Sequence, residues 1–215
     1  MVKRVFCFVA LTCIPQFLVA QQAPQVELFA GYSYLRAHNY FSEGLNQQGW
    51  NVSASFNFAR SFGIVADVSN HYGKPQYTYG PDFSSPIGSE GKGLTFLFGP
   101  QYTFRRGSRP TPFVHALFGA IQANRYVPPV VVPLPGGIIT LVPSPGCTTI
   151  PCNQRVTSFA MAFGGGLDVK AKGPLWIRAF QVEYFRANFK TFDGSSAAQN
   201  DFRISSGIVF HFGKR

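Results

Sequence analysis

Beyond residue 25 the chain alternates apolar and polar positions with a period of two, the period of a strand. Trp50, Val52, Ala54, Phe56 and Phe58 share one face, and Asn51, Ser53, Ser55 and Asn57 share the other. Phe202, Ile204, Ile208, Phe210 and Phe212 are set against Arg203, Ser205, Gly207 and His211. The same contrast separates Phe159, Met161, Phe163, Leu167 and Val169 from Ser158, Ala160, Ala162, Gly164, Gly166 and Asp168. It also separates Leu94, Phe96, Phe98, Tyr102 and Phe104 from Thr95, Gln101 and Thr103. The pattern predicts strands near 26–36, 48–60, 62–72, 92–104, 112–124, 157–170, 175–188 and 200–212. Each matches or slightly exceeds the roughly 9–11 residues that cross a bilayer when tilted.

The predicted connections alternate in length. Short turns fall at Arg60–Ser61, Arg105–Thr111 and Ala171–Pro174, and long ones near 37–47, 73–91, 125–156 and 189–199. This predicts an all-β fold: an eight-stranded antiparallel up-and-down transmembrane β-barrel with both termini at the short-turn end. A soluble eight-stranded barrel shares the alternation but turns its apolar face inward. Here the polar face consists of Ser, Gly, Ala and Asn with few Lys or Glu, which suits a narrow interior. Trp50, Tyr32 and Tyr34 at one level, and Trp176, Tyr102 and Phe212 at the other, are expected to form interfacial girdles.

Composition sharpens this reading. Charged residues make up 13% of the chain and aromatics 16%, against about a quarter charged in a soluble domain. Past the N-terminus no run is long and apolar enough for a spanning helix. Lys3 and Arg4, the mainly apolar run Val5–Val19, and Ala20 or Ala23 near a cut read as a secretory signal. The expected organisation is a signal peptide over 1–22 and a barrel domain over 23–215. Cys13 keeps a lipoprotein-type signal open as an alternative. Cys7 and Cys13 leave with the secretory signal, whereas a lipoprotein-type cut, made before Cys13, would keep that cysteine; Cys147 and Cys152 remain in an exported context where disulfides persist.

Glu27, Asp67, His115, Asp168, Arg203 and His211 take the inward parity. Arg178 is expected to oppose Asp168 across the short turn. Gln181 and Glu183 then have the wrong parity unless a bulge falls near Ala179–Phe180, which would bring Glu183 to the level of Arg203. Eight strands enclose only enough room for side chains, and buried charges need partners. These residues therefore read as an interior polar network that fills the barrel, with a proton or ion path as the functional alternative. No catalytic set stands out. His38 and His71 map to the long-loop rim near Ser33, Ser42 and Ser69, without an evident oxyanion donor set. No metal-ligand spacing or phosphate loop occurs, so neither a metal nor a cofactor is expected.

The formal net charge is +10. Arg36, Lys74, Lys92, Arg125, Arg155, Arg186 and Lys190 map to the long-loop rim. Arg60, Arg105, Arg106, Arg109, Lys170, Lys172, Lys214 and Arg215 map to the short-turn rim, with no acid in those turns. Charge split between two ends argues against nucleic acid, which selects a single stripe, and leaves lipid phosphates or an ordinary solvated rim as equal readings.

Three segments, Val26–Leu35 (VELFAGYSYL), Pro112–Gly119 (PFVHALFG) and Ile204–Phe212 (ISSGIVFHF), resemble the small OmpA/OmpX-type outer-membrane barrels. The resemblance covers residues 25–212. It implies a bacterial outer-membrane location with the termini in the periplasm. Ile208, Phe210 and Phe212 resemble the signal read by the outer-membrane assembly machinery, although Gly213, Lys214 and Arg215 follow Phe212. The peptidoglycan-binding domain that follows the barrel in OmpA is not expected here. The expected role is non-enzymatic, structural or surface-interacting through the external loops. A narrow pore and a lipid-modifying enzyme are the alternatives. The expected partners are outer-membrane lipids, the assembly machinery and a surface ligand held by loop 125–156.

That loop carries prolines too often for regular central strands. Gly136-Gly137 between two apolar runs predicts a short hairpin. Its Val, Ile and Leu side chains need a cover, from the barrel mouth, the outer leaflet or another protein. Cys147 and Cys152 are predicted to form a disulfide there. Mass spectrometry of the non-reduced mature chain should find the pair two hydrogens lighter. Reduction should leave barrel melting nearly unchanged, because so short a loop adds little stability. Free thiols at both positions in protein taken directly from cells would refute the pairing.

Overall fold

The computed structural model describes residues 24–39, 42–73, 92–105, 110–127, 130–133, 135, 139–143, 148, 152–190 and 196–213. The strands are β1 (Val26–Asn39), β2 (Ser42–Asn57), β3 (Phe62–Tyr72), β4 (Lys92–Thr103) and β5 (Pro110–Val127), followed by β6 (Val130–Pro133), β7 (Ile139–Val142), β8 (Cys152–Lys172), β9 (Leu175–Lys190) and β10 (Ser196–Phe212). Eight of them close into a barrel in the order β1-β10-β9-β8-β5-β4-β3-β2. The first and last strands pair antiparallel from Val26↔Phe212 to His38↔Asn200.

All eight expected strands are present, and most run further toward the long loops than their sequence pattern shows. β2 begins at Ser42 and β8 at Cys152. β5 and β8 remain paired as far as Val127↔Cys152, beyond Gly93↔Ala123, where β4 leaves β5. A two-stranded ribbon therefore projects past its neighbours. The smaller β6–β7 ladder runs from Val130↔Val142 to Pro133↔Ile139, around the segment that holds Gly136-Gly137. The expected signal peptide, Cys147 and the side chain of Cys152 lie outside the described residues.

The registers fix the tilt. The ladder leads from His38 through Asn200, Arg186, Met161, Phe118, Phe98, Ala66 and Ala54 back to β1 at Leu28. His38 and Leu28 are ten residues apart, so closure staggers the strands by ten. For eight strands this corresponds to a tilt of about 40°.

Burial is inverted relative to a soluble protein. Phe98 is 65% exposed and Phe202 58%, while Arg203 is 0% and Glu183 1%. A β-bulge sets the parity of β9. Ser205↔Gln181 is followed by Gly207↔Arg178 on one side, and Leu167↔Phe180 by Asp168↔Arg178 on the other. Ala179 and Phe180 both lie exposed at this bulge, so Arg178, Gln181 and Glu183 all turn inward.

Two inward rings fit only because glycine lies beneath them. A Cβ on Gly31 would stand 2.7 Å from the Phe29 ring, and one on Gly166 2.8 Å from the Phe113 ring. Gly166→Val should therefore displace Phe113 and lower stability by about 1–3 kcal/mol, read from urea unfolding in lipid vesicles. Unchanged stability would mean that the ring has room to move.

Candidate functional site: the barrel interior

The interior is organised around Arg203 on β10. Its Nε and Nη2 donate to Glu183 Oε2 and Oε1 at 2.6 and 2.8 Å. Its Nη1 donates to Asp67 Oδ1 at 3.0 Å and to Ser69 Oγ at 2.8 Å. Asp67 Oδ2 accepts from Asn51 Nδ2 at 2.7 Å, and Glu183 Oε1 lies 2.9 Å from His115 Nε2. One buried cation thus links two carboxylates from strands on different sides of the barrel. Parity and the bulge place Glu183 beside Arg203. The position of Asp67 as a third member follows only from closure.

Nearer the short turns, Arg178 Nε and Nη2 donate to the two oxygens of Asp168 at 2.8 and 3.0 Å, and Nη1 donates to Gln181 Oε1 at 2.6 Å. The guanidinium carbon is 4.4 Å from the centroid of Phe29 and 4.2 Å from that of Phe113. Desolvated contacts of this kind favour a cation over a ring face.

At the short-turn end, Glu27 Oε1 accepts from Asn57 Nδ2 at 2.9 Å and from Arg105 Nη2. Arg105 Nε also donates to Arg60 O at 2.8 Å. The short turns themselves carry no acid, but Arg105 turns back to Glu27 on β1 and so ties two turns to the floor of the barrel. The expected place of Trp176 is corrected. It is paired with the buried Val209 and stacks on His211 at 4.6 Å, so it belongs to the inner face and not to an outer girdle. Tyr32 and Trp50 do face outward as a cross-strand pair. So do Tyr102, in edge contact with Phe62 and Phe104, and the exposed Phe212.

Two parts of the interior escaped the sequence reading. His71, expected at the rim, is buried. Its Nε2 lies 2.9 Å from Ser33 Oγ, which accepts from Ser205 Oγ at 2.9 Å. The signal was available: His71 shares the parity of Asp67 and Ser69. Ser33 is fully buried, so the pair presents no open nucleophile. Beside and above it the interior holds an apolar cluster of Leu35, Leu97, Leu117, Ile121, Phe185 and Phe189 with small alanines between them, alongside the buried Thr95 and Asp201. A cavity of about 30 Å³ among Leu35, Ile121, Phe185 and Asp201 is the space left at the mouth, roughly enough for one water. Among the described residues no group of His, Cys, Asp and Glu is placed to hold a metal ion.

No protein-family model matches the chain, and no curated protein does. Among solved structures it is similar to Neisserial surface protein A, with a TM-score of 0.56 and 12% identity over 87% of this chain and 97% of that one. It is also similar to Ail, the attachment invasion locus protein of Yersinia pestis, with a TM-score of 0.49 and 12% identity over 87% and 99%. The N-terminal β-barrel domain of Pseudomonas aeruginosa OprF aligns with a TM-score of 0.42 and 10% identity over 89% and 100%. The first of these establishes the fold as that of a small outer-membrane barrel.

Arg203→Met should lower stability by about 3–5 kcal/mol, because it strands two buried carboxylates. Adding Glu183→Leu should recover only part of the loss, and adding Asp67→Asn as well should recover more. Denaturant unfolding of the four proteins checks this order. A double variant as stable as the wild type would remove Asp67 from the network.

Proposed function

We propose that the protein is a non-enzymatic barrel of the bacterial outer membrane that anchors and presents its long loops at the cell surface. Its role is then envelope integrity or surface interaction. The observation that carries this reading is the inverted burial: rings face out over the whole wall while ion pairs face in. An apolar wall of this size has no place in water, whereas the lipid-facing band of such a barrel is roughly 25 Å tall and apolar. The length of β10 from Phe202 to Phe212 suits that band. Ile208, Phe210 and Phe212 are all exposed along one outer edge, where assembly machinery would read them. On this reading the termini and short turns face the periplasm. Lipid phosphates take the basic rims, and loop 125–156 carries the surface ligand. The closed ionic interior disfavours a pore, and the burial of Ser33 disfavours hydrolysis of lipid.

The protein should fractionate with outer membranes and migrate faster on gels before heating than after. Recovery as a detergent-free soluble monomer would overturn the reading. In planar bilayers it should show no large, steady conductance; such a conductance would favour the pore. Deletion of residues 128–153 should leave assembly unchanged and abolish surface binding. Loss of barrel stability in that deletion would instead make the loop a lid.

A further inference from the structure

Strand stagger decides which outward residues share a depth. On moving from β1 to β10 to β9, constant height gains a little over one residue per strand relative to direct pairing, since ten residues are distributed over eight strands. Arg36 pairs directly with Phe202, and Phe202 with Tyr184. After correction for the stagger, Arg36 on β1 lies level with Asn200 on β10 and Arg186 on β9, three neighbouring strands. Arg36 and Asn200 are exposed, and Arg186 is half-buried. The described acids of these strands, Glu27, Glu183 and Asp201, are all buried on the inner face. The row therefore presents donors only.

The depth of the row is marked independently. One turn of the pleat below each arginine stands a tyrosine, Tyr34 and Tyr184, at equal height. Tyr34 Oη donates to Asn46 Oδ1 at 2.6 Å, and Tyr184 Oη to Asn200 Oδ1 at 2.7 Å. Asn70 on β3 falls at the same level and donates to Tyr72 Oη at 2.9 Å. Hydrogen-bonded tyrosines around an apolar wall mark the boundary between hydrocarbon and headgroups. The arginines stand just outside it. Arg186 Nε is buried from solvent and has no hydrogen-bond partner among the described residues, a costly state for a cationic donor. The Asn200 oxygen is engaged by Tyr184, so what this side chain can offer an anion is its amide N–H groups.

We propose that Arg36, Asn200 and Arg186 form a cradle for the phosphate of an outer-leaflet lipid. Equal-height positions two strands apart are roughly 12 Å apart, a span that two extended arginine side chains can close over Asn200. Guanidinium forks bind phosphate through paired charge-assisted hydrogen bonds. The acyl chains would run down the wall past Phe202 and Ile204, both exposed below the row. This proposal rests on the membrane reading above.

Native mass spectrometry of the full-length mature protein in detergent tests it, with diphosphoryl lipid A as probe and the same lipid stripped of phosphate as comparison. The diphosphoryl form should be retained and the stripped form should not. Arg36→Gln and Arg186→Gln should each weaken retention about fivefold, and the double variant should weaken it more than tenfold. Heat-modifiable migration reports folding of each variant, and Arg186→Lys, which keeps the charge, should recover part of the loss. Equal binding of the stripped lipid, wild-type retention by the double variant, or full displacement by millimolar inorganic phosphate would overturn the cradle. Those results in a protein that still fractionates with outer membranes would leave the membrane reading standing. A soluble protein would remove both.

Discussion

A closed ladder of eight strands staggered by ten residues encloses a shaft just wide enough for side chains. Whatever points inward is cut off from both water and lipid and must find its partners there. That constraint accounts for the pairing of Arg203 with Glu183 and Asp67 and of Arg178 with Asp168. Removing a charged group from water costs several kcal/mol per ion after relaxation, and only close, well-oriented partners offset it. The pairs are therefore better understood as the way a charged interior is made tolerable than as a source of large net stability. Their contribution is specificity: Arg203 has all its neighbours only when β3, β9 and β10 stand in one register.

The same confinement divides the shaft along its length. Its lower and central levels hold ions and amides, with the Phe29 and Phe113 rings against Arg178 and glycines beneath those rings. Toward the long loops Ile121, Phe185 and Phe189, which need no partners, pack together beside the buried Gln47, Thr95 and Asp201. Among the described residues a shaft closed by ion pairs and backed by packed apolar side chains suits the proposed anchoring role better than a pore.

Much of this was legible in the sequence, because the parity of a strand is visible in its residues. The eight strands, the inward charges and the bulge at Ala179–Phe180 all follow from where the apolar period persists and where it breaks. The bulge was legible because without it Glu183 would face lipid. Other features depended on closure. Asp67 meets Arg203 from 136 positions away, and Arg105 meets Glu27 from 78; neither pairing has a local signal. The inward Phe185 and Phe189 were obscured for a different reason. Above Tyr184 the outward positions of β9 are Arg186 and Asn188, so the apolar side of the alternation changes face there and no longer marks the outer wall. His71 has the inward parity of Asp67 and Ser69, and its place near a strand end is what hides it, since such ends ordinarily meet solvent.

The seam between β1 and β10 joins the two ends of the chain. Its middle inward positions are Gly31 opposite Gly207 and Ser33 opposite Ser205. Contacts so distant in sequence carry the largest chain-closure cost and come late in folding. The hairpins can form first from neighbouring strands, while this ladder waits for all of them. Where the last two edges approach, the inner surface has only hydrogens and hydroxyls to bring past one another. A gap lined this way can zip shut with no bulky side chain in its path, and its closing is what carries Arg203 on β10 to Asp67 on β3.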